Sequence, residues 1–482
     1  MAADTTSAPR PEQGDADRLR TFGYEPRLAR NMGGFSAFAV SFSLISVLTG
    51  IFANFNFGYR EAGEGILWTW TLVAAGQTLI AIVMARLAVR FPIAGYGYQW
   101  AARLMGTGYG FFVGWFLLLQ FVTGFPGICQ TFATTLATLT GVADEAAIRH
   151  ITVAVILGIS AIHLAGIRWA ARINDLGVYA ELAGVAGLLL LLAGAWLASA
   201  HTQPVIAAAE GTGLSGLARS LLLGAFCLTG FEAAADLAEE TRDPVRQVPR
   251  AVMTSHISAA LSGLAMIALL LLCARTTTGT PTDPDPLGHI LRSAIGHRPA
   301  AFLGWIVLLS VLACGVASMA TASRLVFSLA RDNVLPLSQR LSEVTPRTHT
   351  PRNAILLVAT LSIAAIYAFQ RIEIITGIST VAAFSGYAGI MLAVRTDQRR
   401  TKTPAAFTAQ PTLATLALAW SVAVVLALTL PETELPGSGF RHWPATATLG
   451  AAALGTLLWL THVRQKVGKG LAGPPHTRKQ QP

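Results

Sequence analysis

Charge is scarce in this sequence: Asp, Glu, Lys and Arg make up 12% of its 482 residues, against about 25% in ordinary soluble domains. That excludes a conventional soluble protein. Cysteine is scarcer still, with Cys129, Cys227, Cys273 and Cys314 at long, unequal spacings inside apolar stretches. Neither a disulfide framework nor a zinc site is supported, and the four read as small core residues. The ten histidines show no metal-ligand spacing, and there is no phosphate-cradling loop and no nucleophile–base pair. No metal, nucleotide or other cofactor is expected, and no enzyme activity. The first 30 residues are polar, mixed in charge and dotted with Pro and Gly, without the short apolar core and small-residue cleavage site of a signal peptide. They read as a disordered tail.

What fills the chain instead is hydrocarbon, 53% of it hydrophobic with a mean hydropathy of +0.54. A bilayer core about 30 Å thick needs roughly 20 apolar residues per helix. Twelve such stretches can be counted, near 34–57, 66–85, 110–138, 150–167, 174–198, 217–236, 251–274, 300–323, 353–370, 374–394, 411–430 and 444–463. The prediction is an all-α integral membrane protein of twelve transmembrane helices in a lipid bilayer. Trp68, Trp70, Trp100, Trp115, Trp443 and Trp459 cluster toward span ends, as an interfacial belt would.

With the N-terminus inside, 27 of the 35 Lys and Arg fall on the cytoplasmic side. The other eight are Arg60, Arg149, Arg219, Arg275, Arg292, Arg298, Arg371 and Arg441. The positive-inside rule therefore accounts for the net charge of +10 and sets both termini in the cytoplasm. No nucleic-acid partner is needed. In the longest outer connection, Asp285-Pro286 before Leu287 resembles a helix cap with Pro at the first position, which predicts a short surface helix near 287–296.

Two spans break the greasy pattern. The first carries Ser36, Ser41, Ser43, Ser46 and Thr49, with Gly50 near its middle; the sixth carries Gly224, Thr229, Gly230 and the carboxylate Glu232. Two Gly-interrupted spans five apart suggest equivalent positions in two five-helix repeats. A helix broken at mid-membrane leaves N–H groups on one half and C=O groups on the other, tolerable where they line a cavity or hold a ligand. A substrate carboxylate would sit on the amides around Leu48, Thr49 and Gly50. An ammonium would sit on carbonyls near Ser46 and from Phe226 through Cys227 to Thr229. The competing explanation is that Gly50 and Gly230 only permit close helix packing.

Glu232 and Glu181 are ionisable groups inside the membrane, where each costs at least ~2.5 kcal/mol and so demands a reason. A proton-coupling site is one; a structural, hydrogen-bonded carboxyl is the other. Asp236 and Asp175 lie nearer the cytoplasmic boundary and read as solvated. His163 and His256 read as packing residues near span ends. Phe125-Pro126-Gly127 marks a kink in the third span.

Several blocks then carry a resemblance: SFSLISVLTGIF in span 1, FPIAGYGYQWAARLMG after span 2, GFEAAADLAEETRDPVRQVPRAV from span 6 into span 7, and SRLVFSLARDNVLP after span 8. The sequence resembles the amino acid–polyamine–organocation superfamily of permeases, most of all its amino acid/choline transporter branch. The resemblance implies a LeuT-like fold, with spans 1–5 and 6–10 as inverted repeats and spans 11 and 12 added outside. The chain then divides into a cytoplasmic tail at 1–33, a first repeat at 34–199, a second at 217–395, the added pair at 411–463 and a cytoplasmic tail at 464–482.

By the same resemblance, the segment matching Leu48-Thr49-Gly50 binds a substrate carboxylate. Carbonyls matching Ser46, Phe226 and Thr229 take the amine, and Phe226 can cap the substrate. Relatives often place an acid where Arg86 stands here. Some proton-coupled relatives place a lysine where counting from Asn174 reaches Glu181. An acid there could accept a proton or hold a cation such as sodium, with Ser318 and Thr321 offering hydroxyls. The expected function is a symporter that imports an amino acid or small organic amine, in the class of 4-aminobutyrate, choline or polyamines. An exchanger and a non-transporting nutrient sensor are the alternatives.

Overall fold

The computed structural model describes residues 11–26, 28, 30–142, 144–199, 213–277, 285–401, 411–430 and 442–475. These residues are overwhelmingly helical, and the one β-type pairing among them is an isolated bridge between Met32 and Thr241. In chain order the helices are α1 (Pro11–Thr21), α2 (Gly34–Ile45), α3 (Val47–Ala62), α4 (Ile66–Arg90), α5 (Tyr96–Met105), α6 (Thr107–Thr140), α7 (Glu145–Ala165), α8 (Ile167–Ala198), α9 (Leu214–Cys227) and α10 (Ala233–Asp236). They continue with α11 (Pro244–Ala274), α12 (Pro286–Ile295), α13 (His297–Arg331), α14 (Ser338–Leu341), α15 (Arg352–Ala368), α16 (Ile372–Thr401), α17 (Pro411–Thr429), α18 (Trp443–Leu458) and α19 (Arg464–Gly468).

Nine helical runs among the described residues are long and apolar enough to cross a membrane, and the first of them, 34–90, contains α2, α3 and α4. Helices are what such a sequence must form, because lipid offers no partner to an open backbone N–H or C=O. Shorter apolar helices, α9 and α15, accompany them. The predicted surface helix forms as α12: Asp285 caps it by accepting the Gly288 amide at 3.0 Å, and Pro286 occupies the first turn. Pro126 sits inside α6, which runs through it.

Two expectations are corrected. The tail is not structureless throughout, since residues 11–21 form α1 and Tyr24 is buried; residues 1–10 lie outside the described residues. The tryptophans do not all form an interfacial belt. Trp68 is 74% exposed, but Trp70 and Trp100 are core residues whose indole N–H groups donate to the carbonyls of Ala260 and Phe91, each at 3.1 Å. Large rings satisfy burial as well as interface when a carbonyl is within reach. The four cysteines are free and buried.

One end of the bundle is knitted by a buried polar network. The Tyr24 hydroxyl donates to Asp332 at 2.8 Å, and so do the Tyr98 hydroxyl and the Gln99 amide, each at 2.9 Å. Burial and the neighbouring Asp332 carboxylate push the Tyr24 hydroxyl well above the ordinary phenol range, so it remains a donor. Arg331 pairs with Glu239 at 3.0 Å and lies 3.9 Å above the Tyr24 ring. Arg324 pairs with Glu240 at 2.8 Å, each side chain 1% exposed. Met32 and the segment after α10 exchange backbone hydrogen bonds, Met32 N to Glu240 O at 3.0 Å and Arg242 N to Met32 O at 2.9 Å. The C-terminal segment joins through Gly473 N to Asp332 O at 2.7 Å.

The opposite end has its own ties. Asn56 of α3 donates to Asp285 at 3.0 Å and accepts the Leu287 amide at 2.8 Å. Arg219 pairs with Glu61, and Arg275 with Glu64, each at 2.6 Å.

Candidate functional site

Two helices are interrupted side by side. The first stops at Ile45, Ser46 takes φ 35° and ψ 92°, and helix resumes at Val47. Ser46 then caps α3, its hydroxyl accepting the Thr49 amide at 3.2 Å and lying 2.6 Å from the Thr49 hydroxyl. The break is therefore four residues before Gly50, whose amide donates normally to Ser46 O at 2.9 Å. A short side chain that can bond locally lets Ser stop a helix where Gly was expected to. Gly50 serves the packing instead: a Cβ there would overlap the Cβ and Sγ of Cys227.

The second interruption follows α9. Residues 228–232 leave the helix, Gly230 adopts φ +116°, and α10 is a single turn. A Cβ on Gly230 would stand 2.8 Å from the Leu44 side chain and 3.1 Å from its carbonyl carbon. Ser41 stitches the breaks together, donating to Phe231 O and accepting the Ala234 amide, both at 2.9 Å. Gln77 of α4 donates to the freed Leu228 carbonyl at 3.3 Å.

Between the interruptions lies a central cavity of about 40 Å³, room for a water molecule or so. Thr49, Gly50, Phe226, Thr229 and Gly230 line it, with Gln120, Gly124, Ser318, Ser379 and Thr380 from α6, α13 and α16. Beside it Glu232 is fully buried and fully engaged. Oε1 accepts the Tyr387 hydroxyl at 2.6 Å, the Gln120 amide at 3.4 Å and the Tyr96 hydroxyl at 3.5 Å, while Oε2 accepts the Gly230 amide at 3.1 Å. A proton on this carboxyl would change the hydrogen-bonding of the interruption itself.

A family profile described as "Amino acid permease" matches residues 32–453. The chain belongs to the amino acid permease family. It is 26% identical to the amino-acid permease BAT1 of Arabidopsis thaliana, over 96% of this chain and 97% of that protein. It is 24% identical to the thiamine transporter thi9 of Schizosaccharomyces pombe, over 80% of this chain and 75% of that protein. With the branched-chain amino acid permease BcaP of Bacillus subtilis it shares 23% identity, over 76% of this chain and 81% of that protein. A multi-pass membrane permease follows from the profile and the apolar helices together.

Besides Glu232, the permease's sequence-predicted residues divide into three groups. Thr49, Gly50, Phe226, Thr229, Gly230 and Ser318 line the cavity. Ser46, Leu48 and Cys227 stand behind it: Ser46 caps α3, Leu48 packs near Gly184 of α8, and Cys227 packs on Gly50. Glu181, buried on α8, faces the hydroxyls of Ser46 and Ser310 and the amides of Val47 and Leu48, none of these approaches closing into a direct hydrogen bond. The first amides of α3 thus already confront an acid of the protein.

Asp236 departs from expectation. Placed by the sequence in solvent, it is 0% exposed in the permease, and neither carboxyl oxygen has a direct hydrogen bond. The reason is the unwinding before it: α10 is too short to carry residue 236 out of the bundle and packs against α2, α11 and α13. His163 and His256 hold packing positions, with Nε2 of each at 2.9 Å from Val316 O and the Thr78 hydroxyl respectively. Gln120 and Ser379 escaped the sequence reading; an uncharged amide in an otherwise greasy span was the available signal for Gln120.

Gly230→Ala is expected to destabilise the permease by about 2 kcal/mol or more, from a disfavoured positive φ and from pressure on the Leu44 backbone. Thermal unfolding in detergent reads the effect. An unchanged melting temperature would mean that the α2 end moves aside freely.

Proposed function

We propose that this permease is a secondary active transporter importing an amino acid or small organic amine across the cytoplasmic membrane, coupled to protons and working by alternating access around its interrupted helices. One observation carries the reading: two adjacent helix breaks, stitched by Ser41, enclose a small, largely apolar cavity with a few hydroxyls and the Gln120 amide on its wall, beside the buried carboxyl of Glu232. An ammonium entering the cavity would meet the Thr229 region and the carboxylate side of Glu232. A substrate carboxylate would turn toward the Thr49 hydroxyl, because the first amides of α3 already face Glu181. The small volume supports a resting site that widens around its guest. A branched-chain amino acid permease and a thiamine transporter among the relatives favour small organic amines and cations as the class.

The proposed frame has twelve spans, with 34–199 and 217–395 as inverted repeats, 411–463 added outside and both termini in the cytoplasm. The polar network supports that sidedness, because Tyr24, the start of α5, the segment after α10, the end of α13 and Gly473 all meet at one end. Asn56 and α12 meet elsewhere, as an outer closure would.

Proteoliposomes given radiolabelled L-leucine, L-alanine or L-arginine test the reading. Accumulation against a concentration gradient, driven by an inward proton gradient, is the expected result. Uptake indifferent to proton and sodium gradients, but dependent on internal amino acid, would assign an exchanger instead. Binding without flux would assign a sensor.

A further inference from the structure

A second cavity, about 300 Å³ in volume, opens between α2, α7, α8 and α13. It shares no lining residue with the central one, because α13 turns Ser318 toward the first cavity and Val316, Ala317 and Ala320 toward the second. Its size falls at the lower end of the range for small-molecule sites.

Its walls hold buried groups without a bonding partner among the described residues. Asn174 is 3% exposed, yet neither its Oδ1 nor its Nδ2 has a hydrogen-bond partner there. His163 is 1% exposed; its Nε2 bonds the Val316 carbonyl, which can only accept, so in the neutral ring Nδ1 is a lone pair, and Nδ1 has no partner. At the rim Arg168 and Arg172 stand one helical turn apart on α8. Both are exposed, and among the described residues neither is in an ion pair; Arg172 lies 5.5 Å over the Trp169 ring. Arg324, also lining the cavity, is committed to Glu240.

We propose that this cavity is a second amino-acid site, reached from the cytoplasm under the proposed orientation and distinct from the transport site. The chemistry selects a zwitterion. A carboxylate fits the two rim guanidinium groups and the Asn174 Nδ2 donor. An ammonium supplies the donors that His163 Nδ1 and Asn174 Oδ1 need, with Asp175 nearby at the rim. A lipid phosphodiester accepts hydrogen bonds and so leaves both of those acceptors unmet, while inorganic phosphate keeps P–OH donors but brings no positive charge to the Asp175 side of the rim.

The position also gives the site a consequence, which rests on the proposed transport function. Ser36 and Val40 of α2 form one wall, while α8 and α13 form the others. An amino acid bridging them holds α2 against its neighbours, and alternating access requires α2 to move. Cytosolic amino acid is therefore expected to slow further import.

The test measures binding and flux in parallel, with whichever of L-leucine, L-alanine and L-arginine the liposomes accumulate. Equilibrium dialysis of the purified full chain is expected to give two sites per chain, the weaker one lost in Asn174→Leu. Because a buried substitution can impair folding, Arg168→Gln with Arg172→Gln provides a surface variant with the same expected loss. Wild-type uptake should fall several-fold when the liposomes are preloaded with the unlabelled amino acid. In the variants preloading should have little effect, and uptake into empty liposomes should match the wild type. A single site in the wild type overturns the proposal, as does an equal response of wild type and variants to preloading. Competition for the weaker site by inorganic phosphate or by phosphatidylglycerol vesicles also overturns it and assigns the cavity to a phosphate. Absence of uptake by the wild type into empty liposomes would instead strike the transport reading, and dialysis against each of the three amino acids in turn, with loss of binding in the variants, would still report on this cavity.

Discussion

Replacing Glu240 by Ala is expected to remove about 3–5 kcal/mol of stability, the loss usual when one member of a buried ion pair is deleted. Folded proteins hold only about 5–15 kcal/mol in reserve. The variant should therefore melt far below the wild type in detergent or fail to accumulate in membranes. Arg324 and Glu240 are both 1% exposed, so a guanidinium without its acid keeps its charge and is left with only the edge of the second cavity for solvation. Ser323, which accepts from Arg324 at 3.1 Å, is a neutral partner and cannot replace a carboxylate. The diagnostic companion is the double variant Glu240→Ala with Arg324→Met, expected to recover more than half of the lost stability because it leaves no buried charge unpaired. A single variant that melts like the wild type would mean that water reaches Arg324.

Glu232→Gln should separate binding from energy coupling. Glutamine keeps the volume and can still accept from Tyr387, so the interruption stays formed and equilibrium binding of the transported amino acid should change only a few-fold. It cannot carry the proton that the proposed coupling requires. For one proton per substrate, a gradient of one pH unit supports about tenfold accumulation, since a factor of ten corresponds to about 1.4 kcal/mol. In the variant the ratio should fall to near one, while exchange of labelled for unlabelled amino acid at equal pH persists. Accumulation equal to the wild type would remove Glu232 from coupling and turn attention to Asp236 or Glu181. Tyr387→Phe, which deletes the 2.6 Å bond to Glu232, should shift the pH dependence of uptake without abolishing it.

Much of this was legible in sequence because lipid imposes a simple rule on backbone. The apolar helices, the Asp285 cap and the two interrupted regions all follow from composition, Pro and Gly placement, and the need to satisfy peptide groups. The exact site of the first break was not legible. A glycine advertises flexibility, whereas Ser46 ends its helix through a hydroxyl that bonds the Thr49 amide, and four other hydroxyl residues nearby, Ser36, Ser41, Ser43 and Thr49, look alike on paper. Asp236 misled for another reason. Position along a span predicts depth only while the helix continues, and five non-helical residues before α10 removed that ruler. Trp70 and Trp100 needed knowledge of which carbonyls lay across from them. The charged and Pro-rich blocks that carried the family resemblance prove to be one object in three dimensions: Tyr98 and Gln99 from one, Glu239 and Glu240 from another, Arg324, Arg331 and Asp332 from the third.

The paired backbone hydrogen bonds between Met32 and residues 240–242 make a common footplate for the two interrupted helices. Neither can tilt away alone without tearing peptide bonding that no side chain would replace. Under the proposed alternating access, opening at that end would be a swing of one body, the leading half of the first helix together with the trailing half of the second. The Arg324 and Arg331 pairs are the fastenings that must travel with that body or let go.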